Sequence, residues 1–139
     1  MMKIGNYQEF ISIIEQERLP DNTPTPGDVR LKVSVCIKEF SGSYENVWID
    51  KDELKKFLLD FIKLEERREG RARLESMSPD EFWMEFRSID RAGHVGVEVQ
   101  LKRLQYSESE LWPRMIAGGF EFDVSTLPQL VREFKKLVS

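Results

Sequence analysis

Cysteine and histidine are almost absent from this sequence. Cys36 and His94 are the only two among 139 residues. A structural zinc site takes about four such ligands, so the chain lacks the residues to build one. A single cysteine forms no internal disulfide, and neither residue accompanies a nucleophile elbow or similar motif. We therefore expect no metal, no cofactor and no catalytic residues, and we interpret Cys36 as a strand thiol and His94 as a turn imidazole.

Long apolar runs and an excess of basic residues are also missing. No stretch approaches the roughly 18 apolar residues of a transmembrane helix, and the first residues lack the apolar core of a signal peptide. Lys and Arg number 21 against 25 Asp and Glu, for a net charge of −4. General nucleic-acid binding needs a basic face. We expect a cytoplasmic protein that binds neither membrane nor nucleic acid.

The composition that remains is typical of a folded globular domain. Hydrophobic residues make up 40% and charged residues 33% of the chain, enough to build a core and solvate its surface. Three of the six prolines lie between Leu19 and Asp28, and proline cannot donate to a strand ladder. We predict a single domain, 1–139, with a proline-rich loop at 19–28 inside it.

Hydrophobic periodicity predicts about seven strands and two amphipathic helices. Asp50 has the spacing of a helix cap, and apolar residues follow it at helical intervals until Gly70, the predicted stop. Ser125 or Thr126 is predicted to cap a second helix. Residues 41–43 are predicted to form a turn and 105–114 a polar loop. The predicted strands are 10–17, 29–40, 44–49, 71–77, 81–89, 94–104 and 116–123. A short helix is the alternative for 10–17.

These elements predict an α+β fold: a mostly antiparallel sheet of about seven strands with both helices packed on one face. The other face is then open, and by alternation its charges are mainly acidic. An exposed tryptophan ringed by polar groups is typical of a binding hot spot. The alternative is that the 105–114 loop covers that tryptophan. The predicted partner-binding residues are Glu81, Trp83, Glu85, Glu98, Glu121 and Asp123.

The sequence leaves the strand order and the hairpin registers open, but for one hairpin a particular register is favoured. If Asp90–Gly93 is a four-residue loop, apolar residues pair throughout and Glu85 lies opposite Glu98. Like charges directly opposite destabilise a sheet. The register slips, or the face tolerates an acidic spot for catalysis or for a basic partner, or Arg87 or Lys102 relieves the repulsion. We favour relief by a basic neighbour.

Several short motifs occur in an order that resembles a known family. They are Phe40-x-Gly42, Trp48 before the acidic helix start, Leu54-x-x-Phe57, Gly70-x-Ala72-x-Leu74, Asp90-x-x-Gly93-His94-Val95-x-Val97 and Phe122-Asp123. From about Val29 onward the chain resembles the WapI-type immunity proteins of bacterial contact-dependent or polymorphic toxin systems. The resemblance implies a small cytoplasmic protein that binds and neutralises a cognate toxin domain. It implies no catalytic residues.

Three functions follow as hypotheses. The first is a non-enzymatic immunity protein whose acidic sheet face suits a basic toxin domain. The second is a regulatory or assembly module that forms a homodimer through the sheet face or a strand edge. The third is a small hydrolase using Glu85 and Glu98, which requires a cleft around both and a raised pKa for one of them. The sequence leaves the oligomeric state open.

Overall fold

A computed structural model describes the whole chain, Met1–Ser139, and confirms the α+β class with antiparallel strands. It has eight strands rather than seven, because Met2–Gly5 pairs with the strand that follows it. A short 3-10 turn, Val124–Thr126, precedes the second helix. The elements are β1 (Met2–Gly5), β2 (Glu9–Arg18), β3 (Val29–Ile37), β4 (Phe40–Ile49), α1 (Lys51–Arg67), β5 (Arg71–Glu75), β6 (Phe82–Ser88), β7 (Val95–Ser107), β8 (Glu110–Glu121) and α2 (Leu127–Val138).

The strands form two four-stranded sheets instead of one, in the orders β1-β2-β3-β4 and β5-β6-β7-β8. Alternation along a strand shows which face is buried but not which strand lies beside it. The division of the strands into two sheets could therefore not be predicted from the sequence. The two sheets come close where β4 meets β8: a Cβ at Gly42 would lie 3.1 Å from Ile116 Cγ2. Gly42 therefore permits this approach.

Both sheets and both helices share one hydrophobic core of 27 buried residues. Helix α1 packs on β5 and on α2. Four phenylalanine rings occupy the junction: Phe57 lies 4.8 Å from Phe134, and Phe61 lies 4.7 Å from Phe86, between ring centroids. Such tilted and edge-on contacts are favourable beyond the area they bury.

Helix α1 begins as predicted and ends two residues earlier than predicted. The Asp50 carboxylate accepts hydrogen bonds from the N–H groups of the first turn, the nearer at 2.7 Å. The C-terminal cap is Arg68, in the left-handed conformation at φ 55°, rather than Gly70. The Arg68 guanidinium donates to the carbonyl oxygens of Glu65 and Gly93, and these bonds hold it there.

Thr126, one of the two predicted caps, occupies the N-cap position of α2. The Asp123 carboxylate accepts a hydrogen bond of 2.9 Å from the Ser125 N–H and starts the 3-10 turn. This bond lowers the pKa of Asp123. Thr126 donates its hydroxyl to the Asp123 carbonyl and makes no side-chain cap bond to α2. Pro128 occupies the first turn, where its missing N–H is tolerated.

Two loop predictions are wrong. The turn after β3 is Lys38–Glu39, with Lys38 at φ 56°, and the predicted turn at 41–43 lies within β4. The predicted loop at 105–114 is the end of a long hairpin, because β7 and β8 pair as far as Ser107 and Glu110. Pro113 led to the loop prediction, because proline is rare within strands. It is tolerated because β8 lies at the edge of its sheet, where one side needs no donor.

No helix combines the length and apolar character that a membrane crossing requires.

Candidate partner-binding surface

The face of the second sheet that points away from the core is the surface on which the sequence placed its candidate residues. We call it the outer face. Its inward neighbours on β5, β6 and β7, such as Leu74, Met84 and Val99, are fully buried, so the alternate side chains point outward. It carries Arg71, Arg73, Glu75, Trp83, Glu85, Arg87, Glu98, Gln100, Lys102 and Glu121.

The predicted hairpin register is confirmed at its centre. Glu85 lies opposite Glu98, and Arg87 stands between them. Arg87 Nη1 lies 2.7 Å from Glu98 Oε1 and 3.3 Å from Glu85 Oε2. The hydrogen bond to Glu98 and the negative charge of both carboxylates raise the pKa of Arg87. The predicted relief by Arg87 is therefore confirmed, and Lys102 takes no part in any ion pair.

Glu85 is the more enclosed of the two acids. Its side chain is 12% exposed, against 42% for Glu98. Two further guanidiniums approach it from β5: Arg71 Nη1 at 3.5 Å and Arg73 Nη1 at 3.8 Å. A buried carboxylate surrounded by guanidiniums is compensated for the water it has lost. This arrangement is typical of a structural ion-pair network.

Trp83 lies on the same face, beside this network, and is half-buried. The Arg73 guanidinium covers one side of the ring, 4.4 Å from its centroid, in cation–π contact. Arg73 also binds Glu75 at 2.6 Å. The alternative prediction, that a 105–114 loop covers Trp83, is wrong, because those residues belong to β7 and β8 and their turn.

The expected acidic character of this face does not hold in the structure. The expectation counted Glu81 and Asp123, but Glu81 precedes β6, and Asp123 follows β8 as the cap of the 3-10 turn. Pairing instead adds Arg71, which lies opposite Arg87. Opposite charges balance across the face: Arg71, Arg73, Arg87 and Lys102 against Glu75, Glu85, Glu98 and Glu121.

The structure thus brings together four of the six predicted residues, Trp83, Glu85, Glu98 and Glu121. Glu121 is exposed and lies opposite Gly96, the β7 partner of Arg87. Glu81 and Asp123 lie just outside the strands, next to β6 and β8 respectively.

The hairpin end that sequence reasoning missed is the most apolar exposed part of the molecule. We call residues 102–115 the arm. The last paired residue of β6, Phe82, lies opposite Leu101, so beyond it β7 and β8 continue as a two-stranded ribbon. Its apolar side chains are 42–77% exposed. Large apolar residues on both sides of Ser107–Glu110 were the signal that marked it. They are Leu104, Tyr106, Leu111, Trp112 and Met115.

A groove of about 330 Å³ runs along the base of the arm, between it and Ser41–Tyr44 of β4. Arg103 and Arg114 line the groove and lie directly opposite each other. The Arg103 guanidinium lies 5.0 Å from the centroid of the Tyr44 ring. No ion pair in the protein involves Arg103 or Arg114.

No group of three or more histidine, cysteine or acidic residues is placed to hold a metal ion. Cys36 donates weakly to the carbonyls of Gln8 and Lys38, whereas His94 binds Asp90 at the other sheet. The structure therefore does not pair the thiol with the imidazole.

Comparison with known proteins gives one match. A family model described as the immunity protein WapI-like family matches residues 3–139. Curated proteins and solved structures gave no match.

Proposed function

The chain belongs to the WapI-like immunity protein family, and from this we propose that it neutralises a cognate toxin domain by binding it directly. The observation that carries the proposal is the family match across nearly the whole chain, which includes both sheets and both helices. The resemblance noted in the sequence pointed to the same family from Val29 onward.

The geometry of the acids supports binding rather than catalysis. A carboxylate-dependent hydrolase needs one acid that is free to donate a proton and another that is free to accept one or to attack. Glu85 and Glu98 instead share Arg87, and Glu85 has a guanidinium near each carboxylate oxygen. We therefore propose that these acids serve the fold.

Exposure separates the candidate contact residues on the outer face. Trp83, Glu98 and Glu121 are accessible enough to meet a partner, whereas Glu85 is enclosed. Because the charges of the face balance, a basic toxin domain would gain little net attraction there. We propose a cytoplasmic site of action, which the free thiol of Cys36 supports.

The test is coexpression with the toxin domain encoded at the same locus, followed by titration of the purified proteins. Protection of the cells and loss of toxin activity at a one-to-one molar ratio are expected. The matched control is a toxin domain from an unrelated locus, which should stay active. Loss of toxin activity at well below one equivalent would identify an enzyme instead, and no binding to any toxin of the locus would refute the proposal.

A further inference from the structure

Three like-charged pairs lie directly opposite each other in this sheet, and one of them differs from the other two. Arg71 and Arg87 share the Glu85 carboxylate. Glu85 and Glu98 are bridged by Arg87. Arg103 and Arg114 have no carboxylate partner, although placing like charges opposite each other costs stability. On the outer face, each like-charged pair has a counter-ion within the protein. At the base of the arm, the two arginines have none.

A second observation concerns the same part of the molecule: the arm exposes aromatic and apolar side chains. Tyr106 is 77% and Trp112 is 53% exposed, on opposite sides of the ribbon. Tryptophan, tyrosine and arginine are the residue types most enriched at the energetic centres of protein interfaces. The arm presents all three within a few residues, and its aromatic side chains are exposed on both sides of the ribbon.

The arm has a fixed base and a free tip, and this arrangement suits a binding element. A two-stranded ribbon is marginally stable alone, and this one extends past β6 without a third strand. Its base is fixed, because Arg103 contacts Tyr44 and Ile116 packs against the core. The arm is anchored at one end and free at the other, so it can enter a cleft and adjust to it.

We propose that the arm is the toxin-binding element. It enters a cleft of the toxin domain that presents carboxylates to Arg103 and Arg114 and apolar walls to Trp112 on one side and Tyr106 on the other. This inference rests on the proposed function and deepens it. It gives the partner surface an acidic and apolar character, opposite to the basic partner that the sequence favoured. The partner's carboxylates relieve the repulsion that the free protein carries, and this gain adds to the affinity.

The experiment measures the dissociation constant for the locus-encoded toxin domain by calorimetry. The double variant Arg103→Glu with Arg114→Glu should bind at least about a hundredfold more weakly, since it sets acids against acids. Tyr106→Ser with Trp112→Ser should lose about ten- to a hundredfold. The matched control, Lys55→Glu with Lys63→Glu on the exposed side of α1, makes the same change in net charge and should stay within about threefold of the unaltered protein.

Each outcome has a distinct meaning. Circular dichroism and thermal melting must show that the variants remain folded. A carboxylate-to-lysine variant of the toxin that restores binding to the charge-reversed protein, Arg103→Glu with Arg114→Glu, would identify the facing acid. Tight binding by the unaltered protein and by both arm variants overturns the arm proposal and leaves the proposed function standing.

Two further results would also overturn the arm proposal. One is tighter binding after the charge reversal, which would show a basic partner. The other is self-association in sedimentation that the arm variants abolish while toxin binding persists, which would show that the arm pairs two copies of this chain. If the unaltered protein itself does not bind, the proposed function fails first.

Discussion

At the scale of single residues, the Arg87 guanidinium offsets the repulsion between two carboxylates at the centre of the second sheet. It stands between two carboxylates that the strand register forces together, and Glu85 is too enclosed to be relieved by water alone. Removing one member of a hydrogen-bonded charge cluster leaves the others uncompensated, and this costs more than the lost bond itself.

We expect Arg87→Met to lower the free energy of unfolding by about 1–2 kcal/mol. Arg87 and Glu98 are each more than a third exposed, and solvent screening keeps the loss near the lower end of that range. Urea denaturation measures it. Adding Glu98→Gln to Arg87→Met should recover part of the loss, because one of the two facing negative charges, and with it their repulsion, is then removed. A double variant less stable than Arg87→Met would contradict this account.

The turn between β6 and β7 contains the only histidine, so its titration can be followed without ambiguity. His94 Nδ1 lies 2.7 Å from Asp90 Oδ2. This bond raises the pKa of His94 above its ordinary 6.5 and lowers the pKa of Asp90 below its ordinary 3.8. The contribution of His94 to stability is complete below pH 6.5 and is lost as the pH rises through the raised value. The contribution of Asp90 is present above pH 3.8 and is lost as the pH falls through the lowered value.

We therefore expect the His94 ring proton in an NMR titration to report a pKa above 6.5. Asp90→Asn should return the pKa towards 6.5, because both the hydrogen bond and the charge are weakened. The matched control is Glu121→Gln, which removes only a distant charge that also raises this pKa, and it should lower it less. Equal effects from the two variants would show that general charge, not the turn geometry, sets the value.

At the scale of elements, the two helices pack on each other and on the second sheet through a small group of aromatic rings. Phe57 contacts Phe134, Phe61 and Phe86 at ring distances of 4.8–6.1 Å, whereas Leu59, two residues away, is 63% exposed. Helix propensity differs little between leucine and alanine. The main difference between positions 57 and 59 is therefore the burial of the side chain.

We expect Phe57→Ala to destabilise the protein by about 3–5 kcal/mol through the cavity it leaves. Leu59→Ala should stay within about 0.5 kcal/mol. Guanidinium denaturation compares the two, with circular dichroism to confirm the folded baseline. A cost above about 1 kcal/mol for Leu59→Ala would show that this side chain is covered in solution, for example by a second copy of the chain.

The C-terminus of α2 shows a contact that no local pattern predicts. Arg18, at the end of β2, donates to the carbonyl oxygens of Leu137 and Ser139, each at 2.8 Å. These are among the carbonyls that a helix end leaves without partners. Lys135 and Lys136 in the last turn suit the helix dipole, but they do not supply this cap. The partner is more than a hundred residues away in sequence, which is why spacing could not identify it.

The elements themselves were largely predictable, and their arrangement was not. Alternation identified the buried face of β3, and apolar pairing fixed the β6–β7 register, because both depend on neighbours within one strand or hairpin. The β7–β8 ribbon was missed because Pro113 and the polar residues of its turn imitate a loop. The same difference applies to the candidate partner-binding surface. Trp83 and Glu98 were placed on the correct face, but the arginines that neutralise it and the arm beyond it depend on which strands pair.

At the scale of the whole molecule, the two sheets are joined through more than their shared core. The Met77 N–H donates to the Trp48 carbonyl at the free edge of β4, at 2.9 Å, and Glu53 of α1 accepts from the Glu75 N–H at 3.3 Å. A polar link and a continuous apolar core make separate unfolding of either sheet costly. We infer that both sheets unfold in one step, in keeping with the single domain that the sequence predicts.

The three tryptophans provide a test, since each reports on a different part of the molecule. Trp48 lies in the first sheet, Trp83 in the second and Trp112 in the arm. In variants that keep one tryptophan and carry phenylalanine at the other two sites, urea should give the same fluorescence midpoint for Trp48 and Trp83. Trp112 should change earlier and more gradually, because its ribbon has no third strand and its side chain is half exposed.

Far-UV circular dichroism on each single-tryptophan variant is the control, because its midpoint corrects for any stability lost through the substitutions. Distinct midpoints for Trp48 and Trp83 after that correction would show two independently folding sheets and contradict the shared core. A Trp112 transition that coincides with the other two would show that the arm is ordered as firmly as the sheets. The arm would then meet the toxin domain as a rigid element, and binding would require no further ordering of it.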